Sequence, residues 1–308
     1  MNAPVVIFAY NRSDHLKQTL TALANNFLAQ ESEVYIFIDG PKNEEGEVLQ
    51  QEVEGVANSF SHGYFAAVNI IKSDKNRGLA ASVISGVDTV IRKYGKVIVL
   101  EDDSVSDCRY LQFMNDALDF YKDEENIWSV GGYMHAMKFP ENYTKNVLCV
   151  QRTSSMAWGT WLDRWEQIDW DIQDYKKFRW SFKKRKEFNR WGTDKASMLD
   201  DQMNGRINSW AIRFEYAMFK KRMYNILPRE SLIRNIGFDG SGTHCAMVSE
   251  DENSFAIELT NAQKKIQIEI VKPEESIRKI FCEPFNVRFP SRVKRFIGNL
   301  LFKYRKRK

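Results

Sequence analysis

Three carboxylates in a row, Glu101-Asp102-Asp103, follow directly on the apolar run Val97-Ile98-Val99-Leu100. A short β-branched run bounded upstream by Tyr94-Gly95 reads as a buried strand. Open α/β sheets bind ligands at the carboxyl ends of their strands, which is where these acids stand. Clustered oxygen ligands suit a hard divalent cation, Mg²⁺ or Mn²⁺, and such a cation suits a substrate carrying phosphates. The tripeptide alone also reads as an acidic loop ending a strand in water, so the other strand ends carry the argument.

Those strand ends recur through the first hundred residues. Pro4 to Tyr10 (PVVIFAY) reads as a strand followed by Asn11-Arg12, and Ser13 or Asp14 can cap a helix with Leu16, Leu20, Leu23 and Phe27 at helical spacing. Val34 to Ile38 is a second strand running into Asp39-Gly40-Pro41, a turn with a carboxylate at its mouth. Phe65 to Ile71 is a third, followed by Lys75-Asn76-Arg77-Gly78. Leu79 to Tyr94 then reads as a helix with Leu79, Val83, Val87, Val90 and Ile91 on one side. Strand–helix alternation specifies a mostly parallel sheet with right-handed crossovers, whose strands all end on one edge. Arg12, Asp39, Arg77 and the acidic triplet are therefore expected along one crevice. Two arginines and a metal-binding carboxylate set suit a pyrophosphate, and Asp39 is placed to accept hydrogen bonds from a base or ribose.

These segments also carry a family resemblance. Val5 to Leu23, Asp39-Gly40, Asn76-Arg77-Gly78-Leu79 and Glu101-Asp102-Asp103 resemble the donor half of a GT-A glycosyltransferase. The chain is most similar to bacterial family-2-like enzymes related to the N-acetylglucosaminyltransferase that initiates complex N-glycans. The likeness continues through Ala157-Trp158-Gly159 and Asn208 to Arg213, and ends with Leu232 to His244 (LIRNIGFDGSGTH). It implies a GT-A, Rossmann-like α/β fold, with a mixed, mostly parallel sheet flanked by helices. It also implies an inverting, metal-dependent transfer of a sugar from a nucleotide diphosphate, a UDP-sugar first, to a hydroxyl of a surface glycan or lipid-linked acceptor. Ala9, Tyr10, Arg12, Asp39, Arg77, Glu101 and Asp102 would line the donor, and Asp103 would hold Mn²⁺ or Mg²⁺. The glycine-rich loop ending in His244 would close over the donor.

The general base is where the chain departs from the resemblance. Relatives carry an aspartate in a Trp-Asp segment, and counting back from Pro228 puts Trp210-Ala211 there. An inverting transferase needs one carboxylate to take the acceptor's proton. Asp201 is the first choice, with Asp200 and Glu215 in reserve. Trp158, Trp161, Trp165 and Trp170 fall near helical spacing and should be mostly core, though Trp158 or Trp161 could offer an acceptor sugar its flat face. Lys176 to Lys186 interleaves basic and aromatic residues, as single-stranded nucleic-acid binders do. A solvated helix face, or contact with an anionic lipid-linked acceptor, is preferred. His15, His62 and His135 have no distinguishing setting.

Charge separates the tail from the body. The chain carries +4 formally, while Ser291 to Lys308 holds eight Lys and Arg and no acid, leaving −4 elsewhere. A polyanion-binding body is excluded, and no nucleic-acid partner is expected. Val293, Phe296, Ile297, Leu300, Leu301 and Tyr304 recur at three- and four-residue intervals, so the tail reads as an amphipathic helix drawn to an anionic membrane. Four scattered cysteines, no leader pattern and no run of transmembrane length fit a cytoplasmic enzyme held at the inner face of the cell membrane. The expected organisation is a catalytic domain over 1–250, split into a donor half 1–107 and an acceptor half 108–250, then an extension 251–290 and the basic tail 291–308. A sugar nucleotidyltransferase stays open as an alternative, but it needs a glycine-rich phosphate loop after the first strand, and Ala9-Tyr10-Asn11-Arg12 supplies none. A membrane- or nucleic-acid-bound adaptor would use the tail and leave the strand-end acids unexplained.

Overall fold

The computed structural model describes residues 1–240 and 257–305. Its first half alternates strand and helix: β1 Val5–Ala9, α1 Ser13–Ala24, β2 Glu33–Ile38, α2 Glu44–Ser59, β3 Ala67–Lys72, α3 Leu79–Tyr94 and β4 Lys96–Glu101. Then follow β5 Ser104–Ser106, α4 Tyr110–Phe120, β6 Ile127–Gly131, β7 Val147–Val150, β8 Ala157–Trp161 and α5 Leu162–Trp165. A helical layer comes next: α6 Tyr175–Arg179, α7 Phe182–Phe188, α8 Lys195–Met203 and α9 Trp210–Lys221. β9 Tyr224–Pro228, β10 Ile233–Asn235, α10 Glu275–Phe281 and α11 Phe289–Arg305 complete the chain.

Eight strands form one sheet in the order β3-β2-β1-β4-β8-β6-β9-β7. β3, β2, β1 and β4 run parallel, β8 is antiparallel to both its neighbours, and β7 closes the far edge antiparallel to β9. Helices cover both faces, so the strands read as unbroken apolar runs rather than alternating ones. Val5, Ile7, Ile98 and Leu100 face α1, α2 and α4, while Val6, Phe8, Val97 and Val99 face α3 and α9. α3 stops where Gly95 turns left-handed at φ 76°, a conformation glycine adopts without strain. This is the GT-A arrangement, a mixed and mostly parallel sheet between helices.

Local readings shift in three places. α1 starts at Ser13 with no side-chain cap, because its N-cap position falls on Arg12; the Ser13 hydroxyl donates to Glu52. Leu79, the first residue of α3, is exposed, whereas Val83, Val87, Val90 and Ile91 are buried as expected. The tryptophan spacing is not one helix: Trp158 and Trp161 lie on β8 and Trp165 ends α5, so the interval spans a strand–helix junction.

The C-terminal helix docks on the body along α8. Arg295 and the buried Asn299 meet Asp201, Asn204 bonds Asn299, and the Arg206 guanidinium lies 4.5 Å from the centroid of the Phe302 ring. Phe296, expected on the outer apolar face, turns inward under Arg185. The outward row is instead Phe289, Val293, Ile297 and Leu301, four residues apart.

Candidate active site

The turn after β4 is pinned before it reaches water. Buried Thr19 on α1 donates to the Asp102 carbonyl at 2.7 Å and accepts from the Ser104 amide at 3.1 Å. Arg12, at the junction of β1 and α1, reaches across to both acids. Its Nη2 bonds Asp102 and lies 2.8 Å from Asp103 Oδ2. One guanidinium thus faces three carboxyl groups in a buried turn. Burial pushes the Asp102 carboxyl up to about 6 against the pull of Arg12, and burial beside Asp103 and Asp102 raises Glu101 well above the usual carboxylate range.

A cluster so charged favours further positive charge, which a divalent cation would supply. Asp103 Oδ1 and Arg12 Nη1 are both buried without a hydrogen-bond partner. Buried polar atoms are rarely left so, and here one is an acceptor for a cation and the other a donor for a phosphate oxygen. The residues therefore fit a cation bound through Asp103 and completed by ligand oxygens. Among the described residues no three His, Cys, Asp or Glu side chains form a protein-only cation cage.

Asp39 ends β2 one strand away. Its carboxylate accepts from the amides of Gly40 at 3.0 Å, Arg77 at 2.9 Å and Gly78 at 2.8 Å. It thereby ties the loop before α3 to the end of β2, with one lone pair left for a ligand. Gly40 is required by close approach, since a Cβ there would stand 2.3 Å from the Lys75 carbonyl carbon. The exposed side chain of Arg77 and the ring of Tyr10, with Lys42 over it at 5.4 Å, stand along the same edge, while Ala9 is buried beneath it.

β10 pairs antiparallel with β5 and so carries the start of the glycine-rich segment to the acids. The Ile236 amide donates to the Asp103 carbonyl at 3.0 Å. A Cβ on Gly237 would lie 2.3 Å from Asp103 Oδ2, so only glycine lets the chain cross there. His15 is a functional candidate the sequence reading passed over. Its Nε2 lies 3.3 Å from the Ile236 carbonyl and 3.2 Å from Asp239 Oδ2, binding α1 to this segment. Its sequence signal is only its spacing, three residues after Arg12 on α1. His244 lies outside the described residues.

On the other flank, Met156 touches the triplet: its carbonyl accepts from the Glu101 amide and the Ser104 hydroxyl, each at 3.1 Å. The loop behind it, Gln151 to Ser155, rests on a buried charge cluster. Glu215 accepts from the Thr153 amide at 2.9 Å and pairs with fully buried Lys195 at 3.2 Å, while Arg152 grips Asp194 with two hydrogen bonds. Burial lowers the Lys195 ammonium against the pull of Glu215.

Asp200 and Asp201 face elsewhere. Asp200 holds Arg185 and the Tyr175 hydroxyl, and Asp201 holds Arg295 and Asn299 of α11. Ala211, half-buried, packs against the core cluster under β4 and β8 and supplies no acid there. Trp158 and Trp161 are sealed in the core. Trp158 stacks on Trp210 at 4.8 Å, and Trp161 donates to the Leu118 carbonyl, so neither ring is presented at the crevice.

The profile of Glycosyl transferase family 2 matches residues 5–206, a span that runs from β1 past the acidic turn to α8. The chain belongs to glycosyl transferase family 2. The acidic turn at the end of β4 lies within the family domain. No curated protein matches the chain. Among solved structures, Staphylococcus aureus TarS 1–349 aligns at 14% identity over 76% of this chain and 60% of that one, TM-score 0.43. TarS 1–349 is also solved in complex with UDP-GlcNAc. This chain spans less than two thirds of the TarS 1–349 chains it aligns with. The galactosyltransferase LgtC, in complex with donor and acceptor sugar analogs, aligns at 12% identity over 72% of each chain, TM-score 0.37. GlyE of Streptococcus pneumoniae TIGR4 aligns at 10% identity over 73% of this chain and 45% of that one, TM-score 0.37.

Proposed function

We propose that this family 2 enzyme moves a sugar from a nucleotide diphosphate, a UDP-sugar first, to a hydroxyl of a surface glycan or lipid-linked acceptor, with inversion. The observation that carries the reading is the acidic turn itself. Asp103 and Arg12 pair through Oδ2 and Nη2, while Asp103 Oδ1 and Arg12 Nη1 are buried and unpartnered, where a cation and a phosphate oxygen would complete them. Asp103 would hold the Mn²⁺ or Mg²⁺, which when bound would neutralise charge developing on the departing diphosphate. Arg12 binds phosphate oxygens, Asp39 and Arg77 meet the base or ribose, and the segment from Gly237 towards His244 closes the donor in. The resemblance to the enzyme that initiates complex N-glycans supports an N-acetylhexosamine as the first sugar to test.

For the base, the hydrogen-bond network supports Glu215 over Asp201. All three carboxylates are engaged, Glu215 by Lys195 and the Thr153 amide and Asp200 and Asp201 by α6, α7 and α11; what favours Glu215 is that its loop ends at Met156 against the acidic turn. An acceptor contact by Trp158 or Trp161 would require the core to open. The outward row of α11 supports attachment of the tail to an anionic membrane at the cytoplasmic face, where lipid-linked acceptors are held.

A thermal-shift screen of UDP-, GDP- and dTDP-sugars with and without Mn²⁺ tests the assignment. A donor present at a hundred times its dissociation constant stabilises by about 2.7 kcal/mol through linkage. Stabilisation by a nucleotide sugar only with Mn²⁺ is the expected outcome. Equal shifts with and without metal would remove the cation from the reading, and no shift with any nucleotide would remove the donor.

A further inference from the structure

We propose that the turn between α6 and α7 and the outward row of α11 form a single insertion surface for an anionic lipid bilayer. The proposal rests on the membrane reading of the tail and adds to it a second contact, made by a segment more than a hundred residues earlier in the chain.

Trp180 and Phe182 sit at the tip of that turn, 64% and 82% exposed. Among the eight tryptophans Trp180 alone is exposed; the others are buried or half-buried. Two large rings in water cost free energy that a soluble enzyme has no reason to accept, and a helix cap needs neither of them. The same stretch settles its interleaved pattern in space. Phe178 and Phe188 go into the core of the helical layer, while Trp180 and Phe182 go out. Lys176, Lys177, Lys183, Lys184 and Lys186 are exposed around them, with Glu187 the one acid between Tyr175 and Arg190.

This turn abuts α11. Arg179 donates to the Asn299 carbonyl at 3.4 Å, and the Arg185 guanidinium stacks 4.8 Å from the centroid of the Phe296 ring. α11 spends its inward face on these contacts and on Asp201 and Asn204, which leaves Phe289, Val293, Ile297 and Leu301 outward. Arg288 and Lys294 are exposed beside that row, and no acid occurs from Arg288 to Phe302. Apolar side chains rimmed by cations, with Glu187 the one acid in the α6–α7 stretch, are complementary to anionic headgroups over acyl chains, and interfacial Trp is suited to that boundary. Among the described residues no helix is long and apolar enough to cross a membrane, so contact at the surface is the mode available to them. Two neighbouring contacts on separate segments fix a rigid body's orientation, where a tail alone would act as a tether.

The test is co-sedimentation of the full chain with vesicles of phosphatidylcholine, with and without phosphatidylglycerol, at low and high salt. Trp180→Ser/Phe182→Ser should weaken partition onto the anionic vesicles by at least about tenfold, since each ring offers 150–250 Å² to bury. Val293→Ser/Ile297→Ser reports on the tail alone. Loss with the tail variant but not with the turn variant overturns the present proposal and leaves the tail reading standing. Loss with neither overturns both. Both sites are exposed, so the variants should fold, and an unchanged melting temperature checks this. Brominated lipid gives a second readout: it should quench the fluorescence of the unaltered chain, and Trp180→Phe should abolish that quenching while retaining binding. Quenching that survives in Trp180→Phe places the turn away from the bilayer. A dimer in sedimentation equilibrium that Trp180→Ser/Phe182→Ser dissociates assigns the patch to a second copy and equally overturns the proposal.

Discussion

At the residue scale, the acids and arginines of the crevice were legible because parallel strands end on one edge, so position after a strand is position in space. Asp39 shows what position alone misses. Its carboxylate is already committed to three backbone amides, and that follows from loop geometry the sequence does not display. His15 was invisible for a different reason: its partners Ile236 and Asp239 lie more than two hundred residues away. Asp103 is the sharpest test at this scale. Asp103→Ala should abolish Mn²⁺-dependent binding of a nucleotide diphosphate in titration calorimetry while leaving the melting temperature near that of the parent, because Arg12 keeps Asp102 as its partner. Asp102→Ala should weaken binding less, since its carboxylate is shared with Arg12. Unchanged affinity in Asp103→Ala would refute the assignment.

At the element scale, strands and helices of the donor half follow from apolar periodicity, with ends shifted by one or two residues. The tryptophans did not, because spacings of three and four also arise by chance across a strand that runs directly into a helix, as β8 runs into α5. Close approach of backbone was equally hidden. Gly237→Ala puts a methyl 2.3 Å from Asp103 Oδ2, so either the β10 segment lifts or the acid rotates. Overpacking of this kind costs about 1–3 kcal/mol, and the expected result is a loss of donor affinity of tenfold or more with little change in fold. Parental affinity would show that the segment has room to move. α10 supplies a pH prediction. His135 is buried against Phe281 and Phe285 with Arg152 nearby, and burial first, then that charge, lower it to about 4. Unfolded histidine titrates near 6.5, so the unfolded chain takes up the proton first. The histidine's contribution to stability is then complete above pH 6.5 and falls away as pH drops towards 4, by up to about 3 kcal/mol. Denaturant titrations of His135→Gln between pH 7 and 4 should show that much less acid loss than the parent. An identical profile would remove His135 as the cause.

At the scale of the whole molecule, an amphipathic tail was legible, but the face it docks with was not. Sequence gives the apolar residues of a helix; only the partner decides which of them turn inward. Asp201 is where the two readings meet, since the acid first chosen as base by sequence is the one that holds α11 through Arg295 and Asn299. The two roles separate cleanly by experiment. Asp201→Asn and Arg295→Ala should each lower stability, because Asp201 is buried and loses its match with the half-exposed Arg295. A double-mutant cycle between them should return a coupling of about 0.5–3 kcal/mol. Both variants should turn over a soluble acceptor at close to the parental rate. Glu215→Gln should lose about 10²–10⁴-fold in turnover while still binding nucleotide with Mn²⁺, the signature of a missing base, and should also lower the melting temperature because it breaks the buried pair with Lys195. A dead Asp201→Asn beside an active Arg295→Ala would return the base to Asp201. In that case α11 would cover the catalytic acid as well as brace the fold, and donor turnover would depend on the tail being moved aside.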